Sequence, residues 1–152
     1  MLKSKDRKII AYLRKNAKVK LTKVANELKI PTSTVYEKVN NSQGLIQKFT
    51  CLVDFKKLGY LARIIFVLKV WKEDKEKLRE FLMHSKNVNT LSKINNGNDF
   101  LVEAVFEDMR EAENFKEQMN KSYKIEDSYE FYILYDLKKE SFLELAEQVQ
   151  QE

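Results

Sequence analysis

The spacing of apolar residues changes near residue 44, and this change constrains the fold more than any other feature of the chain. Before it, apolar residues recur every three to four positions, as in helices; after it, several segments alternate apolar and polar residues, as in strands. The 152 residues are 43% hydrophobic, enough to form a core in one domain or in two small ones. We therefore expect two parts with different architectures.

Three short helices are predicted in the first part. The apolar spacing places them over residues 6–16, 21–29 and 32–41. Thr22 is a suitable N-cap for the second helix. Pro31 can open the third, because a first-turn residue does not need the missing N–H. Small or apolar residues stand where the second and third helices would meet, as a helix-turn-helix requires: Val24, Ala25, Leu28, Ile30 and Val35.

The second part is predicted to contain a strand-helix-strand-strand-helix-strand sequence. The strands cover residues 61–71, 88–95, 100–106 and 125–135, and the helices cover residues 72–85 and 108–120. Asn and Gly residues over 95–98 predict a tight hairpin turn, because both tolerate positive φ. This order is that of ferredoxin-like domains, with both helices on one face of an antiparallel sheet. Both sides of the last strand are apolar, so the second face of the sheet is expected to meet a partner subunit.

Two flanking elements complete the prediction. Alternation from Ile46 to Val53 predicts a strand that buries Cys51, and residues 138–150 have the pattern of an amphipathic helix. The predicted fold class is α+β. A winged-helix-like helix-turn-helix domain over residues 1–45 is joined by a linker strand and turn (residues 46–60) to a ferredoxin-like βαββαβ domain (residues 61–152). The last domain is assigned to dimerisation and effector sensing.

Charge is divided unevenly between the two parts. Residues 1–60 hold 14 Lys and Arg against 4 Asp and Glu, a net charge of +10, whereas the remainder has a net charge of −5. A basic half that coincides with a helix-turn-helix indicates a polyanionic partner, and double-stranded DNA fits best. A three-helix bundle used for protein contacts remains the alternative.

The third helix is predicted to read the DNA. Hydroxyl and amide groups near the start of a recognition helix contact base edges or phosphates, and surrounding lysines neutralise phosphates. The side chains left outward on this helix are Thr32, Ser33, Thr34, Tyr36, Glu37 and Asn40. The predicted DNA-binding residues are Lys18, Lys20, Lys23, Thr32, Ser33, Thr34, Tyr36, Lys38 and Asn40.

Other chemistry has little support in the sequence. One cysteine permits neither an intramolecular disulfide nor a cysteine-built zinc site, and His84 is the only histidine. We expect no catalytic residues, no metal and no cofactor. The longest apolar run, residues 64–68, is far shorter than the ~20 residues that span a bilayer, and the first residues lack the apolar stretch of a signal peptide. A cytoplasmic protein without a membrane partner is expected.

Several ordered segments resemble the Lrp/AsnC family, the leucine-responsive and asparagine regulators of transcription. They lie at residues 6–17, 21–28, 33–35, 44–49, 53–59 and 97–103. The resemblance implies a DNA-binding regulator that dimerises through the sheets of its C-terminal domains, often assembles further into octamers, and binds an amino acid near the turn between the second and third strands. The candidate effector contacts are Asn95, Gly97, Asn98 and Asp99, with a plain hairpin turn as the alternative.

The chain departs from the family pattern at three places. Its third helix is about two residues shorter than usual. Lys29 and Pro31 replace the usual Gly and Ser of the helix-turn-helix turn, and the hairpin at Gly97 is one residue tighter. Two rival functions fit the same architecture: a haem-biosynthesis-type decarboxylase, and a ligand-sensing assembly module that does not bind DNA.

Overall fold

A computed structural model describes residues 4–42 and 45–144, which form two compact units. The first unit contains the described residues up to Leu52 and those from Leu137 onward; the second contains residues 53–136. The sequence prediction assigned residues 137–152 to the C-terminal domain, whereas the described part of this tail belongs to the first unit. The described tail groups with the first unit because Arg14 hydrogen-bonds to Glu140.

The first unit contains the three predicted helices. They are α1 (Ser4–Lys15), α2 (Leu21–Leu28) and α3 (Thr32–Asn40). Their shared core consists of the apolar side chains of Ile9, Leu13, Val24, Ala25 and Val35.

The second unit contains β1 (Ala62–Val70), α4 (Lys75–His84), β2 (Val88–Lys93), β3 (Phe100–Phe106), α5 (Met109–Ser122) and β4 (Ile125–Tyr132). The strands form one antiparallel sheet in the order β2-β3-β1-β4. Alternate residues of β1 are buried beneath α4 and α5, and Phe115 of α5 contacts Phe66 and Phe106 with ring centroids 6.0 and 5.4 Å apart. The predicted element order and ferredoxin-like topology are confirmed.

The predicted linker strand is not formed. Residues 46–54 have no regular secondary structure, and Cys51 is exposed rather than buried. Period-two alternation forms a strand only where another strand supplies hydrogen bonds, and no such partner for this segment exists within the described chain. The turn after it is present as a 3₁₀ turn (Phe55–Leu58) ended by Gly59 at φ 93°.

Two further predictions about helices need correction. Thr22 is not the N-cap of α2, because the helix begins at Leu21 and Lys20 occupies the cap position without a side-chain hydrogen bond. The tail helix predicted over residues 138–150 is absent from its described part, residues 138–144. The rest of that prediction lies outside the described residues.

Candidate nucleic-acid interface

One side of α3 carries exposed polar side chains. Ser33, Tyr36, Glu37 and Asn40 are all exposed, and their spacing of i, i+3, i+4 and i+7 places them on one helical face. We call these four residues the polar stripe. Val35 on the opposite side is fully buried. One side of α3 therefore packs on the protein core, while the opposite, polar side is free to lie in the groove of a nucleic acid.

The remaining predicted residues of α3 lie off the polar stripe. Thr32 and Thr34 are half-buried. The ammonium of Lys38 forms a hydrogen-bonded ion pair with Asp6 of α1. Glu37, by contrast, lies on the polar stripe although the prediction gave it no role. The spacing from Ser33 to Glu37 was the signal that could have included it.

The packing of α2 against α3 sets the direction of the polar stripe. Ala25, only 1% exposed, supplies the small side chain that this contact requires. The turn between the helices closes through Lys29, which adopts a left-handed φ of 53°, and through the Ile30 N–H, which donates to the Ala25 carbonyl at 3.0 Å. Lys29 thus adopts a conformation that glycine would adopt with less strain.

A second polar contact joins α1 to α2. Interaction with the Glu27 carboxylate of α2, through hydrogen bonding first and its charge last, raises the pKa of the Tyr12 hydroxyl of α1, and burial raises it too. The three helices are therefore tied by polar contacts as well as by their apolar core.

The three predicted lysines of α2 and the preceding loop are exposed. Lys18 and Lys20 precede α2, and Lys23 lies in its first turn, where its ammonium is 3.8 Å from the carboxylate of Glu27. An exposed pair at that distance contributes little free energy. The three ammonium groups are thus accessible to phosphates.

The predicted effector turn is a tight hairpin. Asn96 and Gly97 adopt positive φ values of 62° and 84°, as the sequence predicted for this turn. Asn95 and Gly97 are exposed, whereas Asn98 and Asp99 are half-buried.

Asp99 is held by groups at the end of β1 and the start of α4. The Val70 N–H donates to its Oδ2 at 2.8 Å, and the Lys75 ammonium lies 2.6 Å from its Oδ1. Burial raises the pKa of the Asp99 carboxyl, but these two donors together outweigh burial and leave the pKa below its ordinary value. Its carboxylate therefore already has a structural role in the hairpin.

Much of the sheet face opposite α4 and α5 is apolar and open. Its side chains follow the strand register, with Ile65 opposite Phe131 and Val67 opposite Leu101 and Tyr129. Phe131 and Tyr129 are 55% and 51% exposed. We call these five residues the open face. At one end of it, Asp136 accepts two hydrogen bonds from the Arg63 guanidinium at 2.7 and 2.8 Å.

Other sequence candidates form no site. Within residues 4–42 and 45–144 no cluster of three or more His, Cys, Asp or Glu side chains is arranged to hold a metal ion. His84 Nδ1 lies 2.8 Å from the carbonyl of Glu80, one turn earlier in its own helix. No helix in the same part of the chain is long and apolar enough to cross a membrane.

The curated proteins similar to this chain are helix-turn-helix regulators. No protein-family model matches the sequence. A helix-turn-helix-type transcriptional regulator of Pyrococcus abyssi is 25% identical over 117 residues, 76% of this chain and 80% of the relative. One from Pyrococcus furiosus is 28% identical over 117 residues, 76% and 79% of the two chains. The regulator FL11 of Pyrococcus furiosus is 34% identical over 67 residues, 43% and 44%.

Solved structures share the fold over most of the chain. LrpC of Bacillus subtilis superposes with a TM-score of 0.81 at 21% identity, covering 91% of this chain and 98% of its own. AsnC of Escherichia coli gives 0.79 at 15% identity, covering 91% and 96%. A transcriptional regulator of Neisseria meningitidis, solved in complex with L-methionine, gives 0.82 at 16% identity, covering 91% and 94%.

The two units and the sequence relatives together define a helix-turn-helix transcriptional regulator. Its fold is that of the Lrp/AsnC regulators, which confirms the resemblance found in the sequence. The chain is thus a transcriptional regulator rather than an enzyme, as its sequence relatives are.

Proposed function

We propose that the chain binds double-stranded DNA sequence-specifically by placing α3 in the major groove. The polar stripe carries this proposal: four exposed polar side chains lie on one face of a helix whose opposite face is buried. Recognition helices of helix-turn-helix proteins read base edges with such a face. Within it, Ser33, Tyr36 and Asn40 are the predicted base contacts. We also propose a cytoplasmic location, because a chain with one cysteine and no possible intramolecular disulfide fits a reducing compartment.

Phosphate contacts come from the region around α2. Lys18, Lys20 and Lys23 are exposed cations in the part of the chain with net charge +10. Thr32 and Thr34, near the start of α3, are assigned to phosphate contacts because they lie off the polar stripe. Lys38 is assigned to holding α3 on α1 through Asp6.

We further propose that the regulator acts as a homodimer joined through the open face. A patch containing Phe131, Tyr129 and Ile65 is costly to leave in water, and a second copy offers a self-complementary apolar surface. Two helix-turn-helix units on one dimer would contact pseudo-palindromic half-sites about one helical turn apart, or a multiple of it. Assembly into octamers is the further step that the family resemblance implies.

A small effector, with an amino acid as the first choice, is proposed to bind near the β2–β3 hairpin. The Neisseria meningitidis neighbour with L-methionine supports the ligand class. The exposed residues Asn95 and Gly97 and the half-buried Asn98 are the contacts to test first, because Asp99 is already bound to Lys75.

The test is capture of fragmented genomic DNA by the purified protein, with and without amino acids, followed by sequencing. We expect enrichment of fragments that share a pseudo-palindromic site. If adding one particular amino acid changed which DNA fragments are enriched, that result would support an amino-acid effector. A protein that enriches no sequence but forms mixed oligomers with another regulator would instead be an assembly module.

A further inference from the structure

We propose that Glu37 reads a cytosine in the operator by accepting a hydrogen bond from its N4 amino group. This inference rests on the proposed function, in which α3 lies in the major groove. It assigns a base-specific role to an acidic residue that the sequence pattern alone had left without one.

The position of Glu37 supports the assignment. It stands at i+4 in the polar stripe that starts at Ser33 and ends at Asn40. Homeodomain recognition helices contact DNA through four residues with this same spacing, i, i+3, i+4 and i+7. In such a stripe the i+4 side chain lies in the middle of the face that meets the bases.

The partners of the other acidic residues point the same way. Residues 1–60 contain four acidic side chains, and three of them are engaged. Asp6 binds Lys38, Glu27 pairs with Lys23, and Asp54 accepts the Lys56 N–H at 3.1 Å. Glu37 is exposed, and its carboxylate has no hydrogen bond or ion pair within residues 4–42 and 45–144. Among the described residues, no structural contact accounts for an acid on this surface.

The chemistry of the major groove selects the base. An ionised carboxylate only accepts hydrogen bonds. Guanine presents two acceptors in the groove and thymine one, so both repel it, whereas cytosine presents its N4 donor. Adenine presents a donor beside an acceptor, a pair that suits the amide of Asn40 better than a carboxylate. The carboxylate of Glu37 also repels the phosphates, and it therefore weakens binding to DNA that lacks the cytosine.

The experiment compares Glu37→Gln with the unaltered full-length protein on the captured operator. Each C·G pair of the half-site is changed singly to T·A, and binding is measured by fluorescence anisotropy. We expect one symmetry-related position at which changing C·G to T·A lowers the affinity of the unaltered protein roughly tenfold. The same change should lower the affinity of Glu37→Gln less than about twofold. Cytosine methylated at N4 should reproduce the loss, because the base pair is kept while the groove-facing donor is blocked.

A matched control removes a charge elsewhere. Glu27→Gln, on α2, should keep the discrimination at that position. Glu37→Gln should also bind scrambled DNA several-fold more tightly, since a repulsive charge has been removed. If Glu37→Gln binds the operator and keeps every base preference, the inference is overturned while the proposed function stands. If the unaltered protein binds operator and scrambled DNA alike, the proposed function itself fails.

Discussion

Asp99 and Lys75 form an ion pair at 2.6 Å, and the other carboxylate oxygen of Asp99 accepts the Val70 N–H at 2.8 Å. One side chain therefore joins the β2–β3 hairpin to the start of α4 and the end of β1. The resemblance had offered Asp99 as an effector contact. Because Asp99 already has these partners, Asn95 and Asn98 on the same turn are the better candidates for effector contacts.

Replacing Asp99 by Asn should destabilise the protein by about 1–2 kcal/mol at pH 7, because the Lys75 ammonium loses its partner. The measurement is urea denaturation, with the exposed Glu73→Gln as control. A lowered native pKa means that this stabilisation is present above about pH 4, the ordinary carboxyl value, and is lost as pH falls through the native pKa. A stability difference that stays constant down to pH 2 would contradict the assignment.

Lys29→Gly should stabilise the protein by about 0.5–1 kcal/mol. Lys29 holds a left-handed φ of 53° at the end of α2, where an L residue is strained by roughly 1–2 kcal/mol and glycine is not. Thermal or urea unfolding measures the change. Asn26→Gly, inside α2, should instead lower the free energy of unfolding, because glycine is unfavourable within a helix. Destabilisation by both substitutions would mean that the turn is not closed as described.

Arg14→Ala should release the described tail from the first unit. The Arg14 guanidinium donates to the Glu140 carboxylate at 3.1 Å, to the Glu140 carbonyl at 2.9 Å and to the Phe142 carbonyl at 3.2 Å. Because the pair is exposed, the global free energy of unfolding should change by less than about 1 kcal/mol. Amide hydrogen exchange over residues 137–144 should instead accelerate. Unchanged exchange, equal to that of a Lys15→Ala control, would contradict this contact.

Phe131→Glu should convert the proposed dimer into monomers. Phe131 lies on the open face opposite Ile65 and is 55% exposed in the single chain, so a charge there would be buried at a dimer interface without a partner. Light scattering across a concentration series measures the mass. Met83→Glu, on α4, changes an equally exposed apolar residue (58%) away from that face and should remain dimeric. If both variants remained dimeric, the dimer interface would lie elsewhere on the molecule.

Most of the fold follows from residue periodicity. The alternation in β1 and the helical spacing in α2 and α3 identified these elements because one face of each is buried by its neighbours. The hairpin at Gly97 was identified by residues that tolerate positive φ. Local rules fail where the outcome depends on a distant partner. Cys51 alternates like a strand residue but has no strand beside it within the described chain.

The site was predicted less completely than the fold. Spacing alone placed Ser33, Tyr36 and Asn40 outward, and their exposure agrees. The ion pair of Lys38 with Asp6 joins residues 32 positions apart, and Asp99 finds its partners on two other elements. Such long-range pairs depend on how the helices and strands pack, which residue spacing does not encode.

The central claim, sequence-specific reading of DNA by α3, is tested most directly by anisotropy titration of the captured operator and a scrambled duplex across a salt series. The protein should prefer the operator by at least about a thousandfold. Ser33→Ala and Tyr36→Ala should reduce that preference. Lys23→Ala should instead weaken binding to both duplexes alike, and the slope of the logarithm of affinity against the logarithm of salt concentration should fall in magnitude by about one. Equal affinity for the two duplexes, or a preference unchanged in the α3 variants, would contradict the claim.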